Sequence, residues 1–327
     1  NLKEIAELKK LFPKKALCAS ILGYEEEDWR LLARMAEDAG CDFLELNCSC
    51  PQMAREDAGH RVGQQFDAVR RFTAAAKGAC RLPVVAKMTP NITDMLPVAL
   101  AAKEGGADAI AAINTIRAIT DVDLETLTPQ PDIHGSSAIT GYSGEAVKPI
   151  AMRFVAEMAR ARELCLPVSA IGGVTTWRDA VKFILLGAAT VQATTAVMRH
   201  GVRIIEDMIE GATDWMKEKG YSRVEEFRGI SAAKLCDPAE LDHRFQVVSL
   251  IDEEKCIGCG QCYISCRDGA NSAIEFDRER RKASVDEEKC VGCLLCRHIC
   301  PVWDCIGSKV VDTASTRHAA VVAPVGS

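Results

Sequence analysis

The sequence predicts a (β/α)8 barrel followed by a small cysteine-rich module, and three observations carry that prediction. Short apolar, β-branched runs alternate with amphipathic helical stretches from residue 15 to about residue 195. Five of the six runs end in polar or glycine residues, which a barrel gathers on one face. Eight of the 16 cysteines fall in two compact runs near the C-terminus.

Residues 1–15 are charged at helical spacing and lack the apolar core of a signal peptide. Strands are expected at 16–22 (ALCASIL), 43–48 (FLELNC), 84–88 (VVAKM), 109–113 (AIAAI), 168–171 (VSAI) and 190–193 (TVQA). Helical spacing falls between them at 27–39, 66–79, 96–105, 149–162 and 176–186, and again over 196–229. Near-continuous apolar strands alternating with amphipathic helices imply a parallel sheet covered on its faces. A doubly wound sheet fits that statement too, as does an open sheet of six strands. The polar strand ends at 47–50, Lys87, Asn114–Thr115, Gly172–Gly173 and Thr194–Thr195 favour the barrel. A doubly wound sheet would spread them along an edge, and no G-x-G-x-x-G opens the first unit. Since closure takes eight strands, two more are expected upstream of Asn1. The expected organisation is a barrel over 1–236, a linker over 237–248, the cysteine module over 249–311 and a loose tail over 312–327.

Composition narrows the function classes. A chain of 327 residues with 48% hydrophobic and 26% charged residues has ample material for a core, which excludes wholesale disorder. A net charge of −6 leaves no basic footprint for nucleic acid. No run reaches the roughly 18 apolar residues of a membrane helix. A chain this long does not need disulfides to fold, so clustered cysteines argue for metal in a reducing cytoplasm.

The two runs are Cys256-x2-Cys259-x2-Cys262-x3-Cys266 and Cys290-x2-Cys293-x2-Cys296-x3-Cys300, the second followed by Pro301. This is the bacterial ferredoxin spacing for two 4Fe–4S clusters, in which the fourth cysteine of each run ligates the other cluster. One cluster is then assigned to Cys256, Cys259, Cys262 and Cys300, the other to Cys290, Cys293, Cys296 and Cys266. The alternative, a pair of zinc sites, usually uses two separated C-x2-C pairs and explains the duplicated run poorly. Each run is preceded by an acidic segment ending in Lys-Cys (IDEEKC, VDEEKC), an internal duplication 34 residues apart. Cys305 is expected to be a small buried residue rather than a ninth ligand.

Clusters carry electrons singly, so the barrel needs a group that stores two and exchanges them one at a time; a flavin does this and a nicotinamide does not. The loops after the last two strands carry Gly172–Gly173 and Thr194–Thr195, whose backbone N–H groups and hydroxyls suit a phosphate. Lys87 ends an apolar strand, where burial is costly without an anion; beside a flavin it would stabilise the reduced ring, and otherwise it snorkels to solvent. Asn47-Cys48-Ser49-Cys50-Pro51 supplies an amide to fix a polar ring and a thiol beside it. Cys48 also reads as a small core residue, Cys50 much less so. Asn114 and Thr115 offer matching contacts, and His60 is either a second acid–base group or simply solvated.

The combination ELNCSCP, AKMTPN, INT, GYSG, IGG and QATT, followed by the double cysteine run, resembles the dihydropyrimidine dehydrogenase family. Within it the likeness is to the flavin and iron–sulfur subunit of the bacterial NAD-dependent enzyme, and the barrel half also resembles dihydroorotate dehydrogenases. The resemblance implies an FMN-binding barrel, two 4Fe–4S clusters and reduction of the 5,6 double bond of uracil or thymine. Electrons would arrive from NAD(P)H through a partner subunit carrying FAD and iron–sulfur clusters, in a cytoplasmic hetero-oligomer. It implies Cys50 as the catalytic acid, with Asn47, Cys48, Ser49, Asn114 and Thr115 at the substrate. Lys87, Gly144, Ile171, Gly172, Gly173, Thr194 and Thr195 would contact FMN. Hydride would pass from flavin N5 to pyrimidine C6 while the Cys50 thiol protonates C5 from the opposite face. Two departures border the substrate: Cys48 replaces a larger apolar residue and Gln52 a frequent His. The family's remaining substrate contacts would lie upstream of Asn1.

Overall fold

The computed structural model of the chain describes residues 1–49, 59–241, 245–269 and 271–312. They divide into two compact units, Asn1–Leu235 and a second that begins at Cys236.

In the first unit α1 (Leu2–Leu11) leads to β1 (Cys18–Ile21), α2 (Glu26–Asp38), β2 (Phe43–Leu46), α3 (Phe66–Ala79), β3 (Val84–Lys87), α4 (Leu96–Glu104) and β4 (Ala109–Ala112). Four three-residue strands follow: β5 (Ile116–Ala118), β6 (Asp121–Asp123), β7 (Thr128–Gln130) and β8 (Thr140–Tyr142). The strand–helix alternation then resumes with α5 (Lys148–Arg160), β9 (Val168–Ile171), α6 (Trp177–Leu185), β10 (Thr190–Gln192), α7 (Thr195–His200) and α8 (Ile204–Lys219).

Six strands form one parallel sheet in the order β1-β2-β3-β4-β9-β10. Its core-facing residues are small or branched, and Leu44, Val84, Ile110 and Ala170 are fully buried. In a flat sheet β2 and β10 would stand four strand spacings apart, about 19 Å. Instead Gln192 Nε2 on β10 donates to Glu45 Oε2 on β2 at 2.9 Å. Two such side chains meet only if the sheet is rolled, which is the curvature of a barrel wall.

The helices cover the outside of that wall. On α2, Trp29 is 1% exposed and stacks on Phe72 of α3 with ring centroids 5.7 Å apart. Burying a side chain of that size contributes about 1.5–3 kcal/mol. The segment between β4 and α5, for which the sequence offered no periodicity, pairs its strands as β5–β8 and β6–β7. Three-residue strands are too short to show a period of two.

The second unit contains β11 (Phe245–Ile251), α9 (Gln261–Asp268), β12 (Ile274–Asp277), β13 (Lys282–Val285), α10 (Leu295–Ile299) and β14 (Ile306–Asp312). β11 pairs antiparallel with β14 along its length, Phe245 opposite Asp312, and β12 pairs with β13. This amends the expected boundaries. The linker of 237–248 gives way to strand from Phe245, and Asp312, placed at the head of the tail, is the last residue of β14. The pairing partner lies some sixty residues away, so neither end announces itself locally. The rest of the expected tail, 313–327, lies outside the described residues. Among the described residues no helix is long and apolar enough to cross a membrane.

Candidate functional site

β2 ends at Leu46, and the three residues after it diverge. Ser49 is fully buried and polar; Cys48, 3% exposed, joins the hydrophobic core. Burial pushes the Cys48 thiol up to about 12, so it stays protonated and inert. Thus the structure puts Cys48 in the packing of the core. Asn114, just past β4, brings the strand ends together: its Nδ2 donates to Asn47 Oδ1 at 2.7 Å and to Ser49 Oγ at 2.8 Å. Its Oδ1 accepts from the Thr115 amide at 2.9 Å. The Asn47 amide NH2 has no hydrogen-bond partner among the described residues. Cys50 and Gln52 lie outside the described residues, as does the side chain of His60 in the short turn Gly59–Gln64.

A cavity opens at the same strand ends. Lys87, Asn114 and Thr115 line it, together with Gly144, Ile171, Gly172, Gly173, Thr194 and Thr195. Two of these positions require glycine. Gly172 has φ +128° and Gly173 φ +75°, and an added Cβ would come within 2.8 Å of Ala151 Cβ and 2.9 Å of Lys148 N respectively. The bare backbone therefore borders the cavity against the start of α5. Ser143 and Thr195 bring their hydroxyls to 3.1 Å. Concavity, backbone amides and hydroxyls at consecutive strand ends are a donor set that fits the phosphate and ring edges of a flavin.

Lys87 Nζ donates to Glu45 Oε1 at 3.0 Å, with the two side chains 15% and 8% exposed. Glu45 also accepts from Gln192, which donates in turn to Ser169 Oγ at 3.0 Å. The burial of Lys87 is thus already compensated by a carboxylate of the protein, and its claim to a ligand rests on lining the cavity rather than on desolvation. Sequence reasoning missed Glu45, Ser169 and Gln192. A signal existed: a buried lysine needs a counter-charge, and FLEL holds an acid on the adjacent strand. Asn91 was missed too; it ties the β3 and β4 ends by donating to Thr89 Oγ1 at 3.1 Å and Thr115 O at 3.2 Å.

In the second unit, Cys256, Cys259, Cys262 and Cys300 line one cavity, and Cys266, Cys290, Cys293 and Cys296 another. Both quartets take the fourth cysteine from the other run, as the spacing implies. Among the described residues no three metal-binding side chains converge at the reach of a single ion. Two thiol-lined hollows fit iron–sulfur cubanes better than zinc, whose tetrahedral ligands crowd about 2.3 Å from one centre. Cys305 is buried at 2% beside the first quartet, its Sγ 3.6 Å from Asp252 O.

Compared with known proteins, residues 2–216 match the dihydroorotate dehydrogenase family and residues 249–307 the 4Fe-4S dicluster domain. The chain is 48% identical over 303 residues to the NAD-dependent dihydropyrimidine dehydrogenase subunit PreA of Escherichia coli K12, spanning 92% of this chain and 74% of that one. It is 40% identical over 236 residues to the chloroplastic dihydropyrimidine dehydrogenase (NADP(+)) of Arabidopsis thaliana, spanning 70% and 55%. The catalytic subunit of dihydroorotate dehydrogenase B (NAD(+)) from Thermococcus kodakarensis is 40% identical over 215 residues, spanning 66% and 68%.

Proposed function

The chain belongs to the dihydroorotate dehydrogenase family, among the relatives of the dihydropyrimidine dehydrogenase subunit PreA, and from that membership we propose that it reduces the 5,6 double bond of uracil or thymine. On this reading it is an FMN- and iron–sulfur-dependent subunit, fed from NAD(P)H by a partner that carries FAD and iron–sulfur clusters. The observation that carries the reading is the pairing, in one chain, of an amide-bordered cavity at the strand ends with two cysteine-lined hollows.

When bound, FMN supplies hydride to the pyrimidine and the clusters supply single electrons. The residues of the chain do the rest. Asn114, fixed by Asn47 and Ser49, holds the amide cluster rigid, and the Asn47 NH2 donates to a ring carbonyl. Cys50, three residues beyond Asn47, delivers its thiol proton to C5. Lys87, Gly144, Ile171, Gly172, Gly173, Thr194 and Thr195 hold the flavin, with the Lys87 side chain positioned by its ion pair to Glu45. The two cysteine quartets ligate two 4Fe–4S clusters.

Because the chain is also similar to a dihydroorotate dehydrogenase catalytic subunit, an orotate-type acid is the competing substrate. Such a carboxylate needs a cation, for which Arg55 and Arg61 are the candidates. Anaerobic mixing of the reduced holoprotein with uracil, thymine or orotate decides between them. Fast flavin oxidation by uracil or thymine is expected. Faster oxidation by orotate would transfer the assignment to the acid, and none by any of the three would leave only an electron-transfer role.

A further inference from the structure

The second unit is built twice from one pattern, and the two copies differ at a buried position beside the cysteines. A shift of 34 residues superposes the runs, pairing Cys256 with Cys290 and Gly258 with Gly292. The shift is structural as well. An added Cβ at Gly258 would run into the carbonyl of Arg281, and one at Gly292 into the carbonyl of Val247, residues that are themselves 34 apart. Ser249 then corresponds to Ala283, each seven positions before its run. Both are buried, at 3% and 2% exposed.

Their neighbours are crossed. Ala283 lines the hollow of Cys256, Cys259, Cys262 and Cys300, while Ser249 lines that of Cys266, Cys290, Cys293 and Cys296. Ser249 Oγ lies 3.1 Å from Cys296 Sγ, and the Ser249 amide donates to Cys290 Sγ at 3.4 Å. A thiolate bound to iron carries no proton, so in the loaded module the hydroxyl is the donor. Ala283 has no such group to offer.

We propose that the Ser249 hydroxyl sets the reduction potential of the cluster held by Cys266, Cys290, Cys293 and Cys296, and that Ala283 leaves the other cluster without this donor. The inference rests on the two-cluster reading above. A donor aimed at a cluster thiolate stabilises the electron-rich reduced form more than the oxidised form, which raises the potential. A second difference points the same way. The Ala273 amide donates to Cys266 Sγ at 3.2 Å, whereas the Cys305 amide donates to the Val302 carbonyl at 3.4 Å. These two residues occupy matching places, since their carbonyls accept from Asp286 and Asp252 respectively, both at 2.8 Å. Lys282, a cation near the first quartet, bonds the carbonyls of Glu253 and Cys256 rather than a sulfur. Its charge is partly solvated and screened. The consequence is that the first electron to enter the module favours the Ser249 side.

The test is EPR-monitored potentiometry of the holoprotein and three variants, with iron and sulfide assayed in each. Ser249→Ala should shift the reduction equilibrium of one cluster about tenfold toward the oxidised form, 59 mV for one electron, and leave the other in place. Ser249→Thr, which keeps the hydroxyl, should restore the wild-type value, and Ala283→Ser should move the other cluster in the opposite direction. Unchanged midpoints in Ser249→Ala and Ala283→Ser, with both clusters present, overturn the role of Ser249. Iron for fewer than two clusters in wild-type protein overturns the underlying reading, and the inference with it.

Discussion

Cys48 and Cys50 stand two positions apart in the sequence, and burial limits what Cys48 can do. The Cys48 thiol, held up at about 12 by the core, is neither a proton donor at a useful rate nor a nucleophile. A thiol near the ordinary value of about 8.5 is mostly protonated at neutral pH and able to donate. Cys50→Ser should therefore keep uracil binding, read from the flavin spectrum, while turnover falls by about 10²- to 10⁴-fold. Cys48→Ala should cost some stability and little turnover; an active Cys50→Ser beside a dead Cys48→Ala would reverse the two roles. The ion pair of Lys87 and Glu45 gives a second contrast. Breaking so buried a pair costs about 3 kcal/mol, because Glu45 is left as an unpaired charge. Lys87→Ala should accordingly lower the melting temperature and release FMN. Adding Glu45→Gln removes the stranded carboxylate, so the double variant should regain stability but not flavin. Recovery of both would mean that Lys87 serves the fold alone.

At the level of elements, α6 shows how a single carboxylate joins two helices. Thr176 caps the helix, accepting from the Asp179 amide, while Asp179 accepts from the Thr175 and Thr176 amides and hydroxyls. Lys148 at the start of α5 donates to the same carboxylate at 2.7 Å. Burial alone would raise the Asp179 carboxyl, but the bonds from Lys148, Thr175 and Thr176 outweigh it and hold it at about 2. A carboxyl lowered on folding stabilises the protein above its unfolded value of about 4, and that contribution fades as pH falls toward 2. Asp179→Asn should destabilise at pH 7 and flatten the pH dependence of the melting temperature between pH 4 and 2; an equally steep fall in the variant would place the effect elsewhere. The helices flanking the sheet were legible because their spacing recurs over several turns, the strands because they are short apolar runs set between those helices, and the cysteine quartets because ligand spacing is a local constraint. β5 to β8 were not, being too short for a period, and the start of β11 falls in the expected linker because its partner β14 lies far along the chain. The network of Glu45, Lys87, Ser169 and Gln192 exists only once the sheet is rolled, so no window of sequence contains it.

On the scale of the whole molecule, the two units carry cores of unlike kind. The first is a continuous body of aliphatic and aromatic side chains, with Trp29, Phe154, Phe183 and Leu44 fully buried. The second has two small clusters, and three of the six residues in the larger are cysteines: Cys262, Cys296 and Cys305. A module this small seldom folds on apolar burial alone and leans on metal or cross-links. With both quartets complete, anaerobically prepared protein should contain about eight iron and eight acid-labile sulfide per chain. Cys305→Ala should keep all eight, since Cys305 is outside both quartets and packs as a small apolar residue. Stripping the iron with a chelator under reducing conditions should then act on one unit only. Metal binding and folding are one equilibrium when the ligands form much of the core. Calorimetry of the holoprotein should show two transitions. After chelation the one belonging to the cysteine module should vanish, while the first unit keeps its melting temperature, and protease should cut between Cys236 and Asp312 before it cuts the sheet. If the stripped protein retained both transitions, the clusters would be passengers on a module that folds without them.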